Sequence, residues 1–336
     1  MEPATAGHDV IVLGASAGGV QALCRVIERL PPDLPAAVFV VLHLTPHGRS
    51  MLPAILERSG SLPALHPPDG EVIRPGRIYV APPDHHLTIA DGHVHLSRNA
   101  RENGHRPAID VLFRTAARSY GPRVVGVVLT GNLDDGTAGL AAIKKCGGVA
   151  VVQDPEDADY PSMPESAIAN VAVDHVLPLA EIGPRLEELL RQPPGEAADC
   201  DEVEEEPDAM GTSKKADAAG APLEVPGDPS GLTCPECGGS LFERPGEKPL
   251  HFRCRTGHAY SPESLLAKQS ENLEAAFWAA LRSLEENATL SRRMEKRARQ
   301  HGHRRAGEGY QRRADDAEKH AAMIRSILEK GRADLE

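Results

Sequence analysis

Apolar positions along the first half of the chain come in two kinds of block. Val10–Leu13, Ala36–His43, Val124–Leu129 and Val149–Val152 are short, nearly continuous apolar runs rich in β-branched residues, the pattern of strands buried on both faces. Between and after them, Val20–Leu30, Thr137–Cys146 and Leu179–Leu190 carry apolar residues at helical spacing. Arg77–Ala81 reads as a further strand, and His86–Ile89 and His93–Leu96 flank Asp91-Gly92, a hairpin turn signal. Strand and helix alternate over residues 9–178. The pattern predicts an α/β fold, a doubly wound and mostly parallel sheet in three layers, Rossmann-like, with helices on both faces.

The periodicity stops near Pro193 and resumes past Leu232 in a different form. Four segments follow: a domain over 1–191, an acidic linker over 192–231, a zinc-knuckle over 232–260 and a helical hairpin or coiled coil over 261–336. The linker is rich in Pro, Gly, Ala and acids, a composition that predicts disorder. Ser261-Pro262 reads as an N-cap and first helical position. Leu266, Leu273, Phe277, Ala280 and Leu284 would form one face of that helix, and the chain would turn near Gly302, Gly307 and Gly309. Tyr310, Ala314, Ala317, Ala321, Ile324 and Leu328 then repeat at alternating steps of four and three, a heptad seam.

Charge changes this picture little. The net charge of -12 comes from 49 acids against 37 bases, and eight of those acids crowd into Glu196–Asp208 without a base. The basic residues around Arg292–Arg305 have no interleaved aromatics, which argues for a solvated helix face and against nucleic acid. No apolar run reaches membrane-spanning length and residues 1–8 do not form a leader, so a cytoplasmic protein with no membrane insertion is expected. The six cysteines form no secreted disulfide framework; Cys24 and Cys146 read as small packed hydrophobes.

In a doubly wound sheet, sites form outside the carboxyl ends of the strands. Ser16, His43 and Asp135 all fall at such ends. Gly14-Ala15-Ser16-Ala17-Gly18 fits a nucleophile elbow, and equally a degraded dinucleotide fingerprint. The second strand decides between them. A dinucleotide site wants an acid there to hold ribose hydroxyls, whereas His43 is what a serine nucleophile needs as a base. The order Ser, His, Asp also departs from the Ser, acid, His of ordinary α/β-hydrolases.

Gly14-Ala15-Ser16-Ala17-Gly18-Gly19, Val41-Leu42-His43-Leu44, His105-Arg106-Pro107-Ala108-Ile109-Asp110, Leu129-Thr130-Gly131-Asn132-Leu133-Asp134-Asp135-Gly136 and Ser162-Met163-Pro164-Glu165 occur in that order. Together they resemble the catalytic domain of the chemotaxis receptor methylesterases, the CheB family, over about residues 8–190. The resemblance implies a protein-glutamate methylesterase that also deamidates glutamines, acting on methylated chemoreceptor-like signalling proteins without a catalytic cofactor. It assigns Ser16 as nucleophile, His43 as general base and acid, Asp135 as orienting carboxylate, and the backbone N–H groups of Ala17 and Asn132 as the oxyanion hole. Ala17 stands where the family has Thr, and Asn132-Leu133 where it has Met-Gly. The family's N-terminal receiver domain is expected to be absent, which leaves control to a partner or to the C-terminal module. The other class of function is a non-catalytic signalling adaptor that keeps the esterase fold and binds a partner through its helical tail.

Cys234, Cys237, Cys254 and His258 have the spacing of a closed structural zinc site, with a redox dithiol at Cys234/Cys237 as the alternative and His251 as a rival ligand. Met163 and Pro164 either border a substrate groove or pack the loop. His105 and Arg106 either line the cleft or lead into a helix at Pro107. His47, His66, His85, His86 and His95 read as surface or strand residues, and Asp134 as a solvated loop acid.

Overall fold

A computed structural model describes residues 7–44, 50–195, 200, 227–243 and 250–333. The chain runs β1 (Val10–Ala15), α1 (Gly19–Glu28), β2 (Ala37–Leu42), α2 (Leu52–Ser59), β3 (Ala64–Leu65), β4 (Ile78–Val80), β5 (His86–Ala90), β6 (His93–Ser97) and α3 (Ile109–Tyr120). It continues β7 (Val124–Val128), α4 (Thr137–Lys145), β8 (Val149–Gln153), α5 (Ser162–Asn170), β9 (His175–Leu177) and α6 (Leu179–Leu190). Seven of these strands form one sheet in the order β3-β4-β2-β1-β7-β8-β9, every pairing parallel.

The period of two along β1 splits the core into two layers. Val10 and Val12 pack with α3, α4 and α5 through Ile109, Phe113, Leu140 and Met163. Ile11, Leu13 and Ala15 pack with α1, α2 and α6 through Leu23, Ile27, Leu56 and Leu186. Sheet order reverses between β1 and β7, so a crevice opens at their carboxyl ends. The β5–β6 hairpin turns at Asp91 and Gly92, with φ of 50° and 76°, the left-handed pair of a two-residue turn. Cys146 lies in the core as expected, but its sulfur is joined to Cys200 in a disulfide.

Of the expected linker, 196–199 and 201–226 lie outside the described residues, and its end is ordered. Asp228–Thr233 is β10, paired antiparallel with β11 (Ser240–Glu243), followed by β12 (Phe252–Cys254) and β13 (Ala259–Tyr260) in a four-stranded sheet. This sheet has a small core of Leu241, Phe252, Tyr260 and Leu265 around Cys234 and Cys254. The compact division of the chain falls between Leu265 and Leu266, which places the 232–260 segment with the α/β unit. Backbone pairing explains this: Ala259 N–H donates to Arg101 O, and Asn103 N–H donates to Ala259 O.

Helices α7 (Pro262–Gln300) and α8 (Arg304–Ala333) follow. Ser261 caps α7, its Oγ accepting from Ser264 N–H at 3.0 Å. In the second unit the expected α8 seam is buried at Ala314, Ala317, Ala321 and Leu328. Its counterpart on α7 differs from the face read in the sequence. Of that face Leu266, Leu273 and Ala280 are exposed and only Phe277 and Leu284 pack, beside Leu281, Ala288, Ser291 and Ala298, which are buried at steps of seven, three and seven. The turn is confined to Gly302 (φ 77°), where His303 N–H donates to Ala298 O; Gly307 and Gly309 lie inside α8.

Candidate active site

β1, β2 and β7 are neighbours, so the residues that follow them share one rim of the sheet. Ser16 leaves β1, held by its N–H to Thr130 O at 3.0 Å; His43 leaves β2, held by its N–H to Ala15 O at 3.3 Å. Gly18, with φ of 73°, takes the left-handed conformation that turns the chain into α1 directly behind Ser16. Gly131 lies in the cramped space between Ser16 and Met163, where a Cβ would collide with Met163 Sδ and crowd Ser16 Cβ.

The three side chains predicted to meet do so. His43 Nδ1 is 3.0 Å from Ser16 Oγ, and His43 Nε2 is 2.7 Å from Asp135 Oδ2. The imidazole is turned so that Nδ1 faces the hydroxyl and Nε2–H the carboxylate, and the ring of His105 stacks on it at 3.6 Å and 6°. Asp135 is buried and also accepts the N–H of Ile109 at 2.7 Å, the N–H of Asp110 at 3.3 Å and the Asn103 side-chain amide at 3.0 Å. Burial alone would push its carboxyl upward. The hydrogen bond and charge of His43, with His105 and the Ile109 N–H, outweigh that and hold it well below the usual carboxylate range. Asp135 is thus a fixed anion behind an imidazole whose free nitrogen faces a hydroxyl. Such a chain can draw the proton from Ser16 Oγ and stabilise the imidazolium that results.

Asp134, read as a solvated loop acid, departs from expectation. Asp134 is buried, and its Oδ1 accepts the hydroxyls of Ser261 and Ser264, each at 2.8 Å. Met163 and Pro164 are both buried, the packed of their two readings, and Met163 N–H donates to Gly131 O. Arg106 is held by Asp84 at 2.6 Å, and His86 is a strand residue as read, buried at the start of β5 with its Nε2 3.1 Å from Ala100 O. His47 lies outside the described residues. Asn103 and Asp110 had no mark as site residues. The dipeptide Asn103-Gly104 announces a tight turn, but what that turn presents to Asp135 is set by tertiary packing.

Cys234, Cys237, Cys254 and His258 also come together, with candidate ligand atoms all within 4.8 Å of one another. Cys237 and Cys254 sulfurs are 3.7 Å apart, and His258 Nδ1 is 3.7 Å from Cys234 Sγ and 3.5 Å from Cys254 Sγ. A tetrahedron with metal–sulfur arms of about 2.3 Å has edges of about 3.8 Å. His258 Nε2 is 3.2 Å from a Glu236 carboxylate oxygen, which turns Nδ1 toward the sulfurs. Burial resists ionisation of Cys237, but Thr256, the Gly239 N–H, His258 and Cys234 bring that thiol down to about 6. The four residues could hold one metal ion; His251 instead lies beside Glu102 and Asp110.

Among known proteins, a family model described as CheB methylesterase matches residues 11–186. A Methanosarcina mazei relative named protein-glutamate methylesterase/protein-glutamine glutaminase 2 is 35% identical over 195 residues, 56% of this chain and 53% of its own length. A Leptospira interrogans relative, whose name carries the same two activities, is 40% identical over 176 residues, 52% of this chain and 91% of its own length. The crystal structure of the Thermotoga maritima CheB methylesterase catalytic domain superposes with a TM-score of 0.52 at 35% identity, covering 54% of this chain and 98% of that one. The chain thus spans about half the length of the first of these relatives.

Proposed function

The chain belongs to the CheB methylesterase family, and from that premise we propose that it is a serine hydrolase acting on glutamate γ-methyl esters, and on glutamine side-chain amides, of chemoreceptor-like signalling proteins. The observation that carries this is the unbroken run from Ser16 Oγ through the His43 ring to Asp135. Ser16 Oγ attacks the γ-carbonyl carbon as His43 Nδ1 takes its proton. The tetrahedral oxyanion would be met by the N–H groups of Ala17 and Asn132, neither of which donates to a backbone carbonyl among the described residues. His43 then returns the proton to the leaving group, methanol from an ester or ammonia from an amide. Water, activated by the same ring, releases the γ-carboxylate and restores Ser16. Asp135 remains ionised throughout.

A zinc ion at Cys234, Cys237, Cys254 and His258 would be structural, because four protein ligands leave no open position for chemistry. The helical hairpin is the surface we assign to a regulatory or coiled-coil partner.

Serine-directed fluorophosphonate is expected to label Ser16 in the purified chain, and Ser16→Ala to lower methanol release from a methylated receptor fragment by at least about 10³-fold. Methanol release that survives Ser16→Ala would sink the esterase reading. An unlabelled chain that binds the receptor fragment without releasing methanol would establish the adaptor instead.

A further inference from the structure

We propose that Asn103 is a positioning residue for the triad and that Ala259–Ser264, beyond the stretch matched by the family, holds it in place; the proposal rests on the roles assigned above to Ser16, His43 and Asp135. Asn103 is 4% exposed, and both polar atoms of its side chain are engaged. Its amide nitrogen donates to Asp135 Oδ1 and to Asp110 Oδ2, each at 3.0 Å. Its carbonyl oxygen accepts the N–H of Ser261 at 3.0 Å.

The chemistry explains why an amide sits there. Asp110 and Asp135 are two buried carboxyls in one pocket, and burial together with the Asp135 charge pushes the Asp110 carboxyl well above the ordinary range while Asp135 stays an anion. A neutral group with two donors can bond to both. Asp110 also accepts the N–H groups of Gly136 at 3.0 Å and Gly139 at 2.6 Å, so it braces the loop just past Asp135. Asp135 is left with one oxygen for His43 and Ile109, and the other for Asn103 and Asp110 N–H.

Asn103 is held from two sides. On one side it occupies a two-residue turn with Gly104, at φ of 52° and 76°, closed by paired backbone bonds between Glu102 and His105. Glu102 is anchored in turn by both terminal nitrogens of Arg114 on α3, at 2.6 and 2.7 Å. On the other side is the C-terminal segment: Asn103 N–H donates to Ala259 O at 2.8 Å, and Ser261 N–H returns to the side-chain carbonyl. Ser261 and Ser264 hydroxyls grip Asp134, the residue next to Asp135. His258, one of the four candidate metal ligands, directly precedes Ala259. Cys254 N–H donates to His258 O at 3.0 Å, so the cysteine cluster closes the turn that presents Ala259 and Ser261. The triad of this chain is thereby completed by residues from two regions far apart in sequence.

The test uses the full chain supplied with zinc and three variants: Asn103→Gly, Cys254→Ser and the pair combined. Glycine keeps the left-handed backbone and removes only the amide. Losing a hydrogen bond to a buried carboxylate is expected to lower kcat by about 10- to 100-fold with KM within about twofold, and to slow phosphonate labelling of Ser16 equally. Cys254→Ser is expected to lower kcat as well, and the double variant to lose no more than Asn103→Gly alone. Hydrogen exchange gives a readout independent of turnover: peptides spanning 256–265 should exchange faster in Asn103→Gly. Unchanged kcat in Asn103→Gly, a change confined to KM, losses that multiply in the double variant, or unaltered exchange in 256–265 would each overturn the proposal. A wild-type chain neither labelled at Ser16 nor releasing methanol would remove the triad reading and this one together. A labelled, active wild type with an indifferent Asn103→Gly removes this one alone.

Discussion

Asp134 and Asp135 are adjacent and both buried, yet their carboxyls are driven in opposite directions. Asp135 meets an imidazole and backbone donors that favour its anion. Asp134 is pushed up to about 6 by burial, with Glu263 and Asp135 adding to the rise and the Ser261 and Ser264 hydroxyls only partly offsetting it. A carboxyl raised in the folded state binds its proton more tightly there than in the unfolded chain. Its folded form is therefore best supported below the ordinary carboxylate range, and stability declines as pH rises from about 4 through about 6. Asp134→Asn, which keeps an oxygen to accept both hydroxyls, is expected to stabilise the chain by about 2 kcal/mol at pH 8 and by almost nothing at pH 4. Urea unfolding at the two pH values checks this. Glu102 behaves oppositely: burial resists its ionisation, but Arg114 holds its carboxyl down at about 2. Its pairing should persist until pH falls toward that value, and Glu102→Gln, which strands the Arg114 charge, should cost about 3 kcal/mol at pH 7.

At the scale of the element, the helical hairpin separates what periodicity can and cannot locate. On α8 the residues at alternating steps of four and three are apolar or small, and four of the six, Ala314, Ala317, Ala321 and Leu328, are buried. On α7 several registers offer comparable apolar residues, and the longest side chains do not mark the seam. Leu281 and Ala288 face α8 with the small polar Ser291, beside Phe277 and Leu284, while Leu273 remains 58% exposed. Arg292 fixes the register by pairing with Asp315 at 2.7 Å and Glu318 at 2.9 Å, and Arg325 pairs with Glu285. Leu281→Ala is therefore expected to destabilise the hairpin by about 2–3 kcal/mol, against no more than about 0.5 kcal/mol for Leu273→Ala. Thermal loss of helical circular dichroism in the two variants separates the seam from the exposed face.

At the scale of the whole molecule, the cluster of Cys234, Cys237, Cys254 and His258 lies in a sheet whose core is only a handful of residues. Small cores of this kind depend on a staple, and a metal that binds only the folded form contributes its binding energy to folding. Chelation is expected to remove about one zinc per chain, to speed hydrogen exchange over 228–260, and to leave the exchange of β1, β2 and β7 largely as it was. Retained protection over 228–260 after the metal is gone would argue that the cysteines have another purpose. Among the described residues no helix is long and apolar enough to cross a membrane.

Local pattern was enough to read the strands of the parallel sheet from Val10, Ala36, Val124 and Val149 onward, the helices over Val20–Leu30, Thr137–Cys146 and Leu179–Leu190, the Asp91-Gly92 turn and the α8 seam, because each depends on periodicity or turn chemistry within a dozen residues. Ser16, His43 and Asp135 were legible for a related reason: a parallel sheet brings the carboxyl ends of neighbouring strands to one rim, so order along the chain nearly dictates proximity. The burial of Asp134, the stack of His105 on His43 and the double hydrogen bond of Asn103 had no local signature. Each arises where segments distant in sequence pack together. Partners for buried polar groups are set by that packing, and only the tertiary structure decides them.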